Sequence, residues 1–170
     1  MNSTWLFNFV NLRSYKLKPI IMDHNLIVKN YIQIDAKPEK VWDVLTNPRY
    51  IRQWDKLPED FGDDAVNAAT EIDFPGYSRM KVSAFEPGKV IRYSLHISDY
   101  NLQAIPDATY SYTINVDENG KTWLNIEIGD FAVLLEDGKL YEESTIFGKT
   151  ASMKIKELSE QEGYFETGIH

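Results

Sequence analysis

The chain has 170 residues, enough for one domain with a real hydrophobic core, and its apolar and charged fractions (43% and 26%) are ordinary for a soluble protein. A net charge of -8 argues against nucleic acid and against anionic lipid as partners, since both select basic surfaces. The absence of cysteine excludes a disulfide framework, a thiol nucleophile and a cysteine-ligated metal. It is compatible with any compartment, and a cytoplasmic location is the expectation.

At the start of the chain, Trp5, Leu6, Phe7, Phe9 and Val10 precede Arg13, Lys16 and Lys18, with no acid before Asp23. A secretory signal carries its charge ahead of the apolar run, so the order here is reversed. No apolar run approaches the length of a membrane span, and no stable membrane insertion is expected. Met22 offers an alternative start. Residues 1–21 are expected to be a poorly ordered extension, with a short segment packed on the domain or on a partner as the rival reading. The domain is expected over residues 22–163, followed by a mobile tail over residues 164–170.

Asn25 to Asp35 reads as a first strand, with Val28, Ile32 and Ile34 on one face and Lys29, Tyr31 and Gln33 on the other. Two short helices follow. Pro38 suits a first helical turn, and Val41, Trp42 and Leu45 recur at helical spacing. Asn47-Pro48 closes one helix and opens the next, whose stripe is Tyr50, Ile51 and Trp54. Neither helix is long enough to be stable alone, so both must lie on something larger. Leu57 to Asn67, with Glu59, Asp60, Asp63 and Asp64, lacks the spacing of a calcium loop and reads as a solvated acidic loop.

From Ala69 the period is two. Thr70, Ile72 and Phe74 lead to a Pro75-Gly76 turn, and Met80, Val82 and Ala84 to a turn at Glu86-Pro87-Gly88-Lys89. Ile91, Tyr93, Leu95 and Ile97 form the next apolar face, followed by a loop from Asp99 to Asp107. Tyr110, Tyr112, Ile114 and Val116 then lead through an Asn119-Gly120 hairpin to Leu124, Ile126 and Ile128. This is a meander with one buried face, and a seventh strand is expected near Phe131 to Leu135. Lys139 to Gln161 reads as one long helix with Leu140, Phe147, Ala151, Ile155 and Leu158 on its stripe and Gly148 in its middle.

The run from Lys37 to Asp55, with Pro38, Val41, Trp42, Asn47, Pro48 and Trp54, resembles the START-like superfamily. That superfamily has the helix-grip fold shared with birch-pollen-allergen-like proteins and polyketide cyclases. The nearest branch is the one named after the activator of the 90-kDa heat-shock-protein ATPase, and the resemblance runs from about Leu26 to Gln161. It implies an α+β helix-grip fold. A strongly bent antiparallel sheet of six to seven strands would wrap a long C-terminal helix, with two short helices after the first strand.

A sheet wrapped around one helix often leaves a cavity. The lining candidates are Trp54, Phe74, Met80, Val82, Tyr93, Leu95, Tyr110, Tyr112, Leu124 and Ile126 from the sheet side. From the long helix they are Tyr141, Phe147, Gly148, Ala151 and Ile155. The mixture of apolar side chains and Tyr hydroxyls suits a flat or greasy ligand with one or two polar groups. Each of these residues also fits plain core packing, and the small residues Ser144, Gly148, Ala151 and Ser152 serve either close helix approach or room for a guest. Trp42 is expected to plug the end of the barrel.

Nucleotide-binding, metalloprotease and hydrolase motifs are missing, and no catalytic residue, metal site or cofactor is predicted. His96 is in phase with Arg92 and Ser94 and so faces solvent. Three functions from different classes follow. The first is a binder of a hydrophobic or aromatic small molecule or lipid, acting as carrier, sequestering or sensing protein. The second, from the branch name, is a regulator with the heat-shock chaperone as partner. The third is a cyclase or aromatase using His96, Arg92, Tyr93 or Tyr110. The first of these is the expected function, and the sequence is compatible with more than one oligomeric state.

Overall fold

The computed structural model describes residues 25–97, 104–132 and 139–161. Strand β1 (Val28–Ile34) is followed by helices α1 (Pro38–Thr46) and α2 (Pro48–Trp54). Strands β2 (Glu71–Phe74), β3 (Ser78–Glu86), β4 (Val90–Ile97), β5 (Ala104–Val116) and β6 (Thr122–Gly129) come next, and α3 (Lys139–Glu160) follows them. All pairings are antiparallel in the order β1-β6-β5-β4-β3-β2, so β1 closes onto the last strand of the meander. This is the α+β helix-grip arrangement, with six strands among the described residues.

The helix pair forms for local reasons. Pro38 and Pro48 each stand in a first turn, where a missing N–H costs nothing. Asn47 ends α1 and caps α2, its side-chain oxygen accepting the Arg49 N–H at 3.1 Å. Val41, Val44, Leu45, Ile51 and Trp54 are buried. Trp42 is half-buried, its ring edge against Phe85 at 5.3 Å between centroids, as befits a plug at the end of the sheet.

Two register shifts interrupt the sheet, one between Val82 and Ala84 in β3 and one in the β4–β5 pairing, where Ser94 to His96 of β4 faces Ala104 to Thr109 of β5. The first corrects the sequence alternation. Ala84 pairs with exposed Arg92, whereas Phe85 pairs with buried Ile91 and packs on Trp42. One extra residue flips the phase of everything after it. Val116, assigned to the apolar face, is 54% exposed at the far end of β5. Ala104 to Asp107, expected as loop, begin β5 instead. Pro106 falls in the irregular stretch of the β4–β5 pairing, where its missing N–H breaks no regular ladder bond.

Phe131 and Ala132 are not strand. They are held by Asp130, whose Oδ1 accepts the N–H groups of Leu26 at 2.9 Å and Ala132 at 2.8 Å. The rest of the expected seventh strand lies outside the described residues. So do the extension over residues 1–21 and the tail over residues 164–170.

Helix α3 packs chiefly on β1, and less on α1, β6 and α2. Leu140, Phe147, Ala151, Ile155 and Leu158 form its buried stripe. A Cβ on Gly148 would overlap the Asn30 side-chain amide and approach Val28 Cγ1 to 3.1 Å, so at this position the small residue serves close helix approach. The far end of α3 is tied to β1. Lys156 Nζ donates to the Gln33 carbonyl at 2.8 Å and to Glu160, and Glu160 Oε1 accepts the Asp35 N–H at 2.7 Å.

Candidate functional site

Because α3 lies mainly over the β1–β6 side, the other half of the sheet is covered by the end of α2 and the residues leaving it. There Ile51, Trp54, Asp55 and Leu57 face Ile72, Met80, Tyr93 and Tyr112 around a cavity of about 20 Å³, room for roughly one water. The strand registers place Met80 opposite Ile72 and Leu95, and Tyr93 opposite Val82 and Tyr110. The indole of Trp54 is fixed by its Nε1–H, which donates to the Val44 carbonyl at 3.0 Å. Its ring meets Tyr112 edge to face at 5.6 Å, and Tyr93 meets Tyr112 at 6.4 Å with the planes 85° apart.

Asp55 gives this apolar site its polarity. Its Oδ1 accepts the Lys56 N–H at 2.7 Å. Burial pushes its carboxyl well above the usual carboxylate value, with the Lys56 N–H acting weakly the other way. Burial, then the nearby Asp55, also raises the hydroxyls of Tyr93, Tyr110 and Tyr112. The Tyr110 hydroxyl is buried without a well-formed hydrogen bond, with Ser144 of α3 its neighbour.

Of the sequence candidates, the cavity brings together Trp54, Met80, Tyr93 and Tyr112. Tyr110 is the cross-strand partner of Tyr93 on its far side from Val82. Val82, Leu95, Leu124, Ile126, Phe147, Ala151 and Ile155 are buried in the core, and Phe74 and Tyr141 pack partly buried against it. Gly148 faces β1 and not this cavity. Sequence reasoning missed Ile51, Asp55, Leu57 and Ile72 as lining. A signal for Asp55 was present, since it is a lone acid directly after Trp54 at the end of an apolar stripe.

The outer face carries other groups. Arg79 lies across from His96, and Arg92 from Ser111, so the sheet separates Arg92 and His96 from Tyr93 and Tyr110. The combined polar set that a cyclase would draw on is therefore divided between two faces. An open groove of about 280 Å³ also lies on this side, lined by Arg92, Thr109, Ser111, Glu127 and Asp130 among others. It is larger than the inner cavity but polar and open, and a hydrophobic guest gains little there. Among the described residues no helix is long and apolar enough to cross a membrane, and no cluster of metal-ligating side chains is present.

A long helix gripped by a bent antiparallel sheet, with an aromatic cavity at the open side, defines the class: a helix-grip protein. No protein-family model matches the sequence, and no curated protein matches it. Solved structures do match. The Aha1 dimer from Colwellia psychrerythraea is 17% identical at a TM-score of 0.57, over 81% of this chain and 98% of that one. Protein MLL2253 from Mesorhizobium loti is 23% identical at a TM-score of 0.57, over 78% of this chain and 95% of that one. DynU16, from the dynemicin biosynthetic locus, is 16% identical at a TM-score of 0.55, over 79% of this chain and 47% of that one. At such identities the likeness shows the fold, and it is the fold that the START-like resemblance implies.

Proposed function

We propose that this protein binds a hydrophobic or aromatic small molecule or lipid in the cavity between its sheet and the end of α2, as a carrier, sequestering or sensing protein of the cytoplasm. The observation that carries this reading is the convergence of Trp54, Tyr93, Tyr112 and a partly buried carboxyl, Asp55, on an inward-facing void. The fold shared with DynU16, from a biosynthetic locus, supports a small organic molecule as the guest. The void holds about one water as it stands, so a larger guest enters by outward movement of the α2 exit. Asp55 and Leu57, both partly exposed, are the residues of that exit that reach the void.

Native mass spectrometry of the freshly purified protein, followed by denaturing extraction, tests this. The expected result is a reproducible extra mass of small-molecule size that disappears in Leu57→Trp, which fills the mouth. An extra mass retained undiminished by Leu57→Trp would place the guest elsewhere.

A further inference from the structure

The chemistry around the void narrows the kind of guest, on the footing that the void is a binding site. We propose that the pocket receives a protonated amine head, held between the Asp55 carboxylate and the aromatic rings of Trp54, Tyr93 and Tyr112, with the apolar remainder of the ligand leaving past Leu57.

Three observations carry this. First, the groups around the void attract positive charge and offer none of their own. Ring faces are negative, a carboxylate is negative, and the remaining lining is aliphatic side chains and Met80. Asp55 is in no ion pair among the described residues, and the one hydrogen bond its carboxyl group has there comes from a neutral backbone N–H. Second, the rings are held in place. The Trp54 indole is hydrogen-bonded to Val44, and Tyr112 stands edge to face with both Trp54 and Tyr93, so the aromatic walls are preorganised. Third, the size fits. A void of about 20 Å³ accepts a head of about the size of one water without any opening, which suits an ammonium group.

Among the described residues, no cationic side chain is one of the groups coupled to Asp55. Those coupled to it are the hydroxyls of Tyr93, Tyr110 and Tyr112, and Glu143 of α3 acts on Tyr110. Burial holds Asp55 toward its neutral form when the pocket is empty. A bound cation favours the carboxylate, so amine binding is coupled to release of a proton and weakens as the pH falls through the Asp55 titration. Beyond the pocket, the net charge of -8 draws cations toward the molecule as a whole.

The test compares benzylamine with benzyl alcohol, equal in shape and differing in charge, at neutral pH. Affinity is read by titration calorimetry and location by the Trp54 indole N–H signal in nuclear magnetic resonance. The amine is expected to bind about tenfold tighter than the alcohol, with the Trp54 signal moving in step. Asp55→Asn is expected to bring the two affinities together. In the unmutated protein the same preference is expected to fade on acidification. The proposal is overturned if the alcohol binds at Trp54 as tightly as the amine or tighter, in which case the pocket reading stands without its cation. It is also overturned if the preference for the amine survives Asp55→Asn. Failure of both probes to move Trp54 overturns it and counts against the pocket as well.

Discussion

Asp55 and Gly148 are single residues whose surroundings determine what a substitution does. The Asp55 carboxyl is held above its usual value of 3.8 by burial, so the fold favours the neutral acid. Its contribution to stability is therefore fully present below the unfolded value and is lost as the pH rises through the higher folded value. Asp55→Asn is expected to be more stable than the parent at neutral pH and to converge with it in acid, as measured by denaturant melts across pH. A parent that gains on Asp55→Asn as the pH rises would contradict this. At Gly148, alanine would gain about 1 kcal/mol of helix propensity. The overlap with Asn30 and the 3.1 Å approach to Val28 work against it. Overpacking of this kind costs about 1–3 kcal/mol, so Gly148→Ala is expected to lose stability overall. Asn30→Ala, which also removes a buried amide without an acceptor, should recover most of that loss in a double-mutant cycle. Gly148 was legible as a small residue on the helix stripe. Its role was not legible, because the sequence does not say which strand the helix lies on.

At the scale of elements, the chain was readable wherever structure is local. The α1–α2 junction is encoded by Asn47-Pro48, and Asn47→Ala is expected to cost about 1 kcal/mol through loss of the Arg49 N–H acceptor, measurable as a lowered urea midpoint with unchanged slope. The strands were readable from their alternation, except beyond the β3 bulge and at the start of β5. A bulge shifts the phase by one residue without any mark in the pattern, and Pro106 reads as a loop signal although irregular pairing accommodates it. Docking of α3 depends on contacts far apart in sequence. Glu160 is held below its usual value of 4.5 by its hydrogen bond to Lys156, and also by the Asp35 N–H. Its contribution is present above the unfolded value and lost as the pH falls through the folded one, the opposite limb from Asp55. Glu160→Gln should flatten the acid limb of stability and speed amide exchange at Asp35. Unchanged exchange there would mean that the tie to β1 is not what holds that end.

For the molecule as a whole, the fold and the pocket were legible to different degrees for a physical reason. The order of helix pair, meander and long helix specifies which elements exist, and burying one apolar face on one helix leaves few ways to arrange them. The position of a void depends instead on where α3 settles. It lies toward β1, so the open ground falls under α2, among Trp54, Met80, Tyr93 and Tyr112, while Leu124, Ile126, Phe147 and Ala151 become core. The two tryptophans Trp54 and Trp123 then report on opposite sides of the sheet, because Trp123 stacks on exposed Tyr31 at 4.6 Å and donates to Asp117 on the outer face. The most direct measurement is a titration with a neutral aromatic probe, indole, followed through the indole N–H signals of the protein. The Trp54 signal is expected to shift saturably while that of Trp123 stays in place. A saturable shift at Trp123 alone, or none at either position, would contradict a binding pocket between the sheet and the helices.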